Sequence, residues 1–143
     1  GRVGLAEAAH FAAVHGLDMN TFRAVLDAGP MASTVSRGKL AKLLAGDFSP
    51  QAAAADVLMN NALVAAAARE VGMASPALDV SHALFAETVA QGRGGEDMIA
   101  VIRALEARTG SAERVVADGH RGRVLEHLST DSPAVRAKHI RGI

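Results

Sequence analysis

Cysteine, tryptophan and tyrosine are absent from this sequence, and only four phenylalanines occur. Without cysteine there can be no disulfide, thiolate zinc site or cysteine nucleophile, and a reducing compartment suits the chain. Aromatic residues are scarce while half of the sequence is hydrophobic, much of it alanine. That composition suits closely packed helices better than strands. Neither sign of charge is in excess, with fifteen basic and fifteen acidic side chains, so no global field draws the protein to nucleic acid or an anionic membrane. No apolar run approaches the roughly 20 residues of a membrane span, and the first residues lack a signal-peptide pattern. We therefore expect an all-α, cytoplasmic protein with no nucleic-acid or membrane partner. Its 143 residues are enough for one domain with a core of its own.

What is present is clear helix punctuation. Residues 2 to 15, "RVGLAEAAHFAAVH", predict a first helix closed by Gly16, and Asp18 or Asn20 caps a second that Gly29-Pro30 stops. "ASTVSRGKLAKLLAG" predicts a third, with Ser33 or Ser36 as its cap, Leu40, Leu43 and Leu44 inward, and Gly46 as its stop. Ser49-Pro50 and Ser75-Pro76 each read as a serine cap with proline in the first turn, opening a long fourth and a fifth helix that end at Gly72 and Gly92. "EDMIAVIRALEART" predicts a sixth, with acids in its first turn and Arg108 in its last, the polarity that suits the helix dipole. After Thr109-Gly110 the composition shifts. Residues 111–143 carry six Lys or Arg against four acids, and three of the six histidines.

Few residues suggest chemistry. "GRGG" at Gly92 to Gly95 joins two helices, follows no strand and lacks the spacing of a phosphate loop. No serine has a nucleophile-elbow context, and no triad is suggested. Glu7-x-x-His10 and Asp79-x-x-His82 have the spacing of di-iron ligands on facing helices, but the further carboxylates such a site needs are not obviously supplied, so no metal is expected. His120, His127 and His139 have no metal-ligand spacing. Arg121, Arg123, Arg136, Lys138 and Arg141 in the tail are interleaved with acids and have no aromatics for stacking, so they read as a solvated or partner-docking arm.

Adjacent Asn60 and Asn61, inside the alanine-rich "AAAADVLMNNALVAAAAREVG", stand out. Asparagine is a poor interior helix residue. Asn61 shares a helical stripe with Val57, Val64, Ala65 and Ala68 and should be buried, so its amide needs a partner: another helix, a water, or a ligand in a cleft.

Taken in order, "GLAEAAHFAAVHGLDMNTFRAVLDAG", "KLAKLLAGDFSP" and "DVLMNNALVAAAAREVGMASPALDVSHALFAETVAQGRGGEDMIAVIRALE" resemble the C-terminal helical domain of the β-hydroxyacid dehydrogenases. That family includes 3-hydroxyisobutyrate dehydrogenase and 2-hydroxy-3-oxopropionate reductase and is related to 6-phosphogluconate dehydrogenase. The resemblance covers residues 4 to 108. It implies a helical bundle like the 6-phosphogluconate dehydrogenase C-terminal domain over residues 1–110, with residues 111–143 as a partly helical extension. In the family a Rossmann domain comes first and a lysine upstream of the position of Gly1 is catalytic, so the chain is expected to be a fragment with no catalytic residue, inactive alone and binding no cofactor by itself. The resemblance further implies NAD or NADP and a small hydroxy or oxo acid for the intact enzyme, and a homodimer. Members carry Lys-Asp in the stretch where this chain has Asn60-Asn61, which makes both asparagines candidate cofactor-binding residues. Ser33, Thr34 and Ser36 are candidate substrate-lining residues, with helix capping as the competing role. Loss of the Lys-Asp charges favours one alternative, a non-catalytic interaction or dimerisation module built on the same fold. Truncation of such a helix should leave apolar surface around Leu5, Phe11 and Val14 for self-association.

Overall fold

The computed structural model describes residues 2–110. The expected helices of the tail and its basic and histidine side chains lie outside the described residues. The chain divides after residue 107 into two units, the first of which carries α1 to α5 and both cavities discussed below. No strand occurs among the described residues, so the fold is all-α, and an isolated bridge pairs Ala53 with Asp97. No described helix is long and apolar enough to cross a membrane.

Five α-helices run in order: α1 (Arg2–Val14), α2 (Met19–Ala28), α3 (Thr34–Ala45), α4 (Ala54–Glu70) and α5 (Pro76–Thr88). A tight 3-10 turn over Met98–Val101 then leads into α6, helical at 102–110. Glycine closes α1, α3 and α4 in one geometry. Gly16, Gly46 and Gly72 sit at φ 67°, 65° and 68°, and the next residue turns its N–H back onto a carbonyl: Leu17 to Ala12 at 3.0 Å, Asp47 to Lys42 at 2.9 Å, Met73 to Ala68 at 2.8 Å. That left-handed step is cheap only for glycine, which is why these stops were legible.

The 98–104 segment is the centre of the core. Met98, Ile99, Ala100, Val101, Ile102 and Ala104 are all buried, surrounded by Ala6 and Ala9 of α1, Leu40 of α3, Ala54 of α4, and Leu84 and Phe85 of α5. Apart from the half-buried Arg103, the run is apolar, as suits a segment enclosed on most sides. The small residues of α1 let it approach closely.

Two sequence expectations are corrected, both of them serine caps. The fourth helix does not open at Ser49-Pro50; it begins at Ala54, and its N-cap residue, Ala53, offers no side chain. Residues 51–55 instead run beside residues 94–98. Ala54 and Ala55 donate their N–H groups to the Glu96 and Gly94 carbonyls, both at 2.9 Å, so tertiary carbonyls satisfy the donors a cap would serve. Ser49 bonds Asp47 instead. Ser75 precedes α5 with Pro76 in its first turn, but its side chain makes no capping bond. The sixth helix opens as a 3-10 turn with an acid at its start, as expected: Asp97 caps it by accepting from Ile99 N–H at 3.1 Å, and is fully buried. At the other uncertain caps, Asp18 serves α2 by accepting from Thr21 N–H at 2.7 Å, and Ser33 serves α3.

Candidate functional site

Two cavities flank the first turn of α1, and Arg2 lines both. The first, about 520 Å³, is enclosed by α1, the α2–α3 turn and α3, with Leu5, Leu26, Met31, Ser33, Ser36 and Lys39 among its lining. The second, about 510 Å³, lies between α1, α4 and α5, and includes Val57, Asn61, Val80, Ser81 and Phe85. Of the residues assigned by sequence, Ser33 and Ser36 on the substrate side and Asn61 on the cofactor side line separate cavities on either side of one helical turn, while Thr34 and Asn60 line neither.

Ser33 and Ser36 border the first cavity and also cap α3. Ser33 Oγ accepts from Ser36 N–H at 3.1 Å, Ser33 N–H donates to Ser36 Oγ at 2.8 Å, and the Ser36 hydroxyl donates to the Ser33 carbonyl at 3.0 Å. This reciprocal box engages most of their polar capacity. Thr34 is exposed and outside that lining.

Asn61 is half-buried and Asn60 exposed. The expected stripe holds for Ala65 and Ala68, which are buried, while Val57 is half-buried and Val64 is 56% exposed. Of the three kinds of partner open to the amide, another helix supplies one: Asn61 Nδ2 donates to Ser81 Oγ of α5 at 3.2 Å. The Asn61 Oδ1 atom accepts from no described residue, so half of the carboxamide remains available at the cavity wall.

Sequence reasoning missed a buried ion pair. Lys39 Nζ donates to both oxygens of Asp97, at 2.8 and 3.0 Å, and to Gln51 Oε1 at 3.2 Å. Gln51 N–H at 2.9 Å and Ala52 N–H at 3.3 Å also reach Asp97 Oδ1. Burial by itself would raise the Asp97 carboxyl, but the Lys39 ammonium and the N–H groups of Gln51, Ile99 and Ala52 outweigh it and hold the carboxyl below its ordinary value. The available signal was Lys39 itself, one residue before Leu40 and four before Leu43 of the inward-facing leucines. A lysine there requires a carboxylate. Asp97 has little to offer a ligand, since its oxygens are already surrounded.

Among the described residues no group of three or more His, Asp or Glu could hold a metal ion. Asp79 is instead paired with Arg69 at 3.3 Å. The two carboxylate–histidine pairs build no shared metal site.

Comparison with known proteins gives this helical architecture its lineage. Residues 1–105 match the family described as NAD-binding of NADP-dependent 3-hydroxyisobutyrate dehydrogenase. The chain belongs to that family. Among solved structures it is similar to 3-hydroxyisobutyrate dehydrogenase from Salmonella typhimurium, with a TM-score of 0.68 and 24% identity, over 71% of this chain and 36% of that one. That likeness concerns the fold, and the chain spans little more than a third of that protein's length. No curated protein matches. Within this family's fold, the charges of Lys39 and Asp97 neutralise one another inside the bundle, leaving Arg2 as the charged side chain shared by both cavities.

Proposed function

We propose that the chain forms the helical, substrate-side wall of an NAD(P)-dependent oxidoreductase that moves hydride between a nicotinamide and a small hydroxy or oxo acid. The observation that carries this reading is the pair of cavities meeting at Arg2, one with Asn61 and Ser81, the other with Ser33 and Ser36. A carboxamide such as nicotinamide's presents one acceptor and two donors. Asn61 Oδ1 accepts, and the Ser81 hydroxyl, which receives the Asn61 Nδ2 hydrogen, keeps its own proton to donate. Val57, Val80 and Phe85 supply apolar walls for a ring. Nicotinamide, when bound, supplies or accepts the hydride. The residues of this chain orient it and exclude water.

The proton that accompanies hydride transfer needs a general acid or base. Lys39, which lines the first cavity, is held by Asp97 and Gln51, so in this reading a lysine preceding residue 1 performs that role. The resident compartment is the cytoplasm, consistent with the lack of cysteine.

One observation favours a second reading, a self-associating helical module. On and just beyond the outer face of α4, Met59, Leu63, Val71 and Met73 are between 58% and 78% exposed, an apolar surface of the kind dimers bury. Phe11 and Val14 of α1 are exposed as well, whereas Leu5 is half-buried against the core.

Nicotinamide mononucleotide, titrated into the isotope-labelled chain, distinguishes the two. The wall alone is not expected to hold a whole cofactor, so the first reading expects only weak NMR shifts at high ligand concentration, confined to Asn61, Ser81 and their neighbours. Shifts absent from that cavity, together with a concentration-dependent dimer in sedimentation, would leave only the second.

A further inference from the structure

The wall that carries Asn61 has no charge of its own. α4 and α5 contribute Val57, Asn61, Ala77, Val80, Ser81 and Phe85 to the second cavity, all of them neutral side chains from the interior of the sequence. The acids of these two helices lie elsewhere. Asp56 and Glu70 are exposed and outside the lining, Asp79 pairs with Arg69 at 3.3 Å, and Glu87 does not line the cavity either. Among the described lining residues the charged one is Arg2 of α1, a cation. No described group at this cavity therefore offers a negative charge.

The two redox forms of a nicotinamide share one carboxamide and differ in the charge of the ring: the oxidised pyridinium is a cation, and the reduced dihydropyridine is neutral. The Asn61 Oδ1 acceptor and the Ser81 hydroxyl meet the carboxamide equally well in both forms. Hydrogen bonding thus does not choose between them. Burial does, because a cation brought against Val57, Val80 and Phe85 gives up hydration and finds no carboxylate in return, whereas a neutral ring loses little.

We infer that Asn61 sets which redox form this wall holds: as an amide it supplies the acceptor that the carboxamide needs without the negative charge that a pyridinium needs, so the reduced ring binds more tightly than the oxidised one. This rests on the reading of the cavity as the nicotinamide site, and it assigns within that site the residue that determines specificity for the redox form. Asn61→Asp keeps the size and the acceptor and adds only the charge. The Ser81 hydroxyl, which accepts from Asn61 Nδ2, can turn and donate to the new carboxylate, so the contact between α4 and α5 survives.

The test titrates the isotope-labelled chain with oxidised and with reduced nicotinamide mononucleotide, which carry the same ribose, phosphate and carboxamide, and follows the amides of Asn61, Ser81 and their neighbours through the weak-binding range. In the wild type the reduced form should bind about tenfold more tightly, a ratio that tests the inference without any variant. Asn61→Asp should strengthen the oxidised form about tenfold and leave the reduced form nearly unchanged, the effect of opposite charges about 5 Å apart at a partly exposed site. Ser81→Ala, which removes a donor common to both forms, should weaken both alike and keep the ratio. Equal wild-type affinities, tighter binding of the oxidised form, or a ratio that Asn61→Asp does not move overturns the role given to Asn61 and leaves the nicotinamide site standing. Shifts absent from this cavity with both forms overturn that reading as well.

Discussion

Asp97 and Asn61 are both polar residues enclosed by helices, and they differ in what surrounds them. Asp97 is fully buried and accepts from Lys39 and three backbone N–H groups of separate chain segments. Asn61 is half-buried, lines a cavity, donates one hydrogen bond to a neighbouring helix, and has an acceptor that no described residue engages. A polar group whose capacity is exhausted by the protein can only hold the fold together. One with capacity left over at a cavity wall is available to a ligand.

Removing Asp97 is the most severe way to break this comparison. Asp97→Ala leaves the buried Lys39 ammonium and three N–H donors without their acceptor, and should cost about 3–5 kcal/mol, the usual result of deleting one member of a buried pair. Thermal unfolding followed by circular dichroism should show a fall of more than about 10 °C. Lys39→Met should cost less, since the backbone donors still face the carboxylate. A fall of only a few degrees for Asp97→Ala would mean that the pair is structurally idle.

The same group sets an acid limit. Its carboxyl is depressed in the folded chain, while in the unfolded chain it titrates near about 3.9. Between those two values the unfolded state binds more protons, so stability rises with pH in that window. The contribution is fully present above about pH 4 and is lost as pH falls through the folded value. Urea unfolding at a series of acidic pH values should show a shallower acid slope for Asp97→Asn than for wild type.

Ser33 lies between the two extremes, because it caps a helix and borders a cavity. Ser33→Ala should lower stability by about 1 kcal/mol through loss of the α3 cap, whereas Thr34→Ala, at an exposed position, should change melting little. Equal effects at both positions would show that the capping box contributes nothing.

The helices were legible where one residue decides the outcome. Gly16, Gly46 and Gly72 each require a left-handed backbone, and Asp18 and Ser33 each satisfy the N–H three residues ahead. The start of α4 was not legible because its donors are met by carbonyls 40 residues further along the chain, and local sequence contains no record of such pairing. The burial of Asp97 was not legible for the same reason. As an acid beside a helix start it fits a dipole argument, and only its contact with Lys39 places it in the core. In the candidate site, the sequence singled out Asn61 and the serines, but not that they line different cavities or that Arg2 joins them.

Asn61→Leu is the smallest and most discriminating change. Its Nδ2 bond to Ser81 spans 3.2 Å between side chains that are only partly buried, so its net worth belongs to the lower part of the roughly 0.5–1.5 kcal/mol range of neutral hydrogen bonds. The substitution strands Ser81 Oγ, but that atom borders an open cavity where water can replace the lost donor. Leucine at the same position gains contact with Val57, Val80 and Phe85, which line the same cavity, offsetting part or all of the loss. If the asparagine is there for a ligand, the variant should melt within a few degrees of wild type, on either side, while losing the nicotinamide mononucleotide shifts. If it is there for the fold, a loss above about 1 kcal/mol is expected, with the double variant Asn61→Leu, Ser81→Ala recovering the part that came from the stranded hydroxyl. A fall in melting temperature large enough to require the second outcome would remove Asn61 from the cofactor cleft, whatever the titration showed for its neighbours.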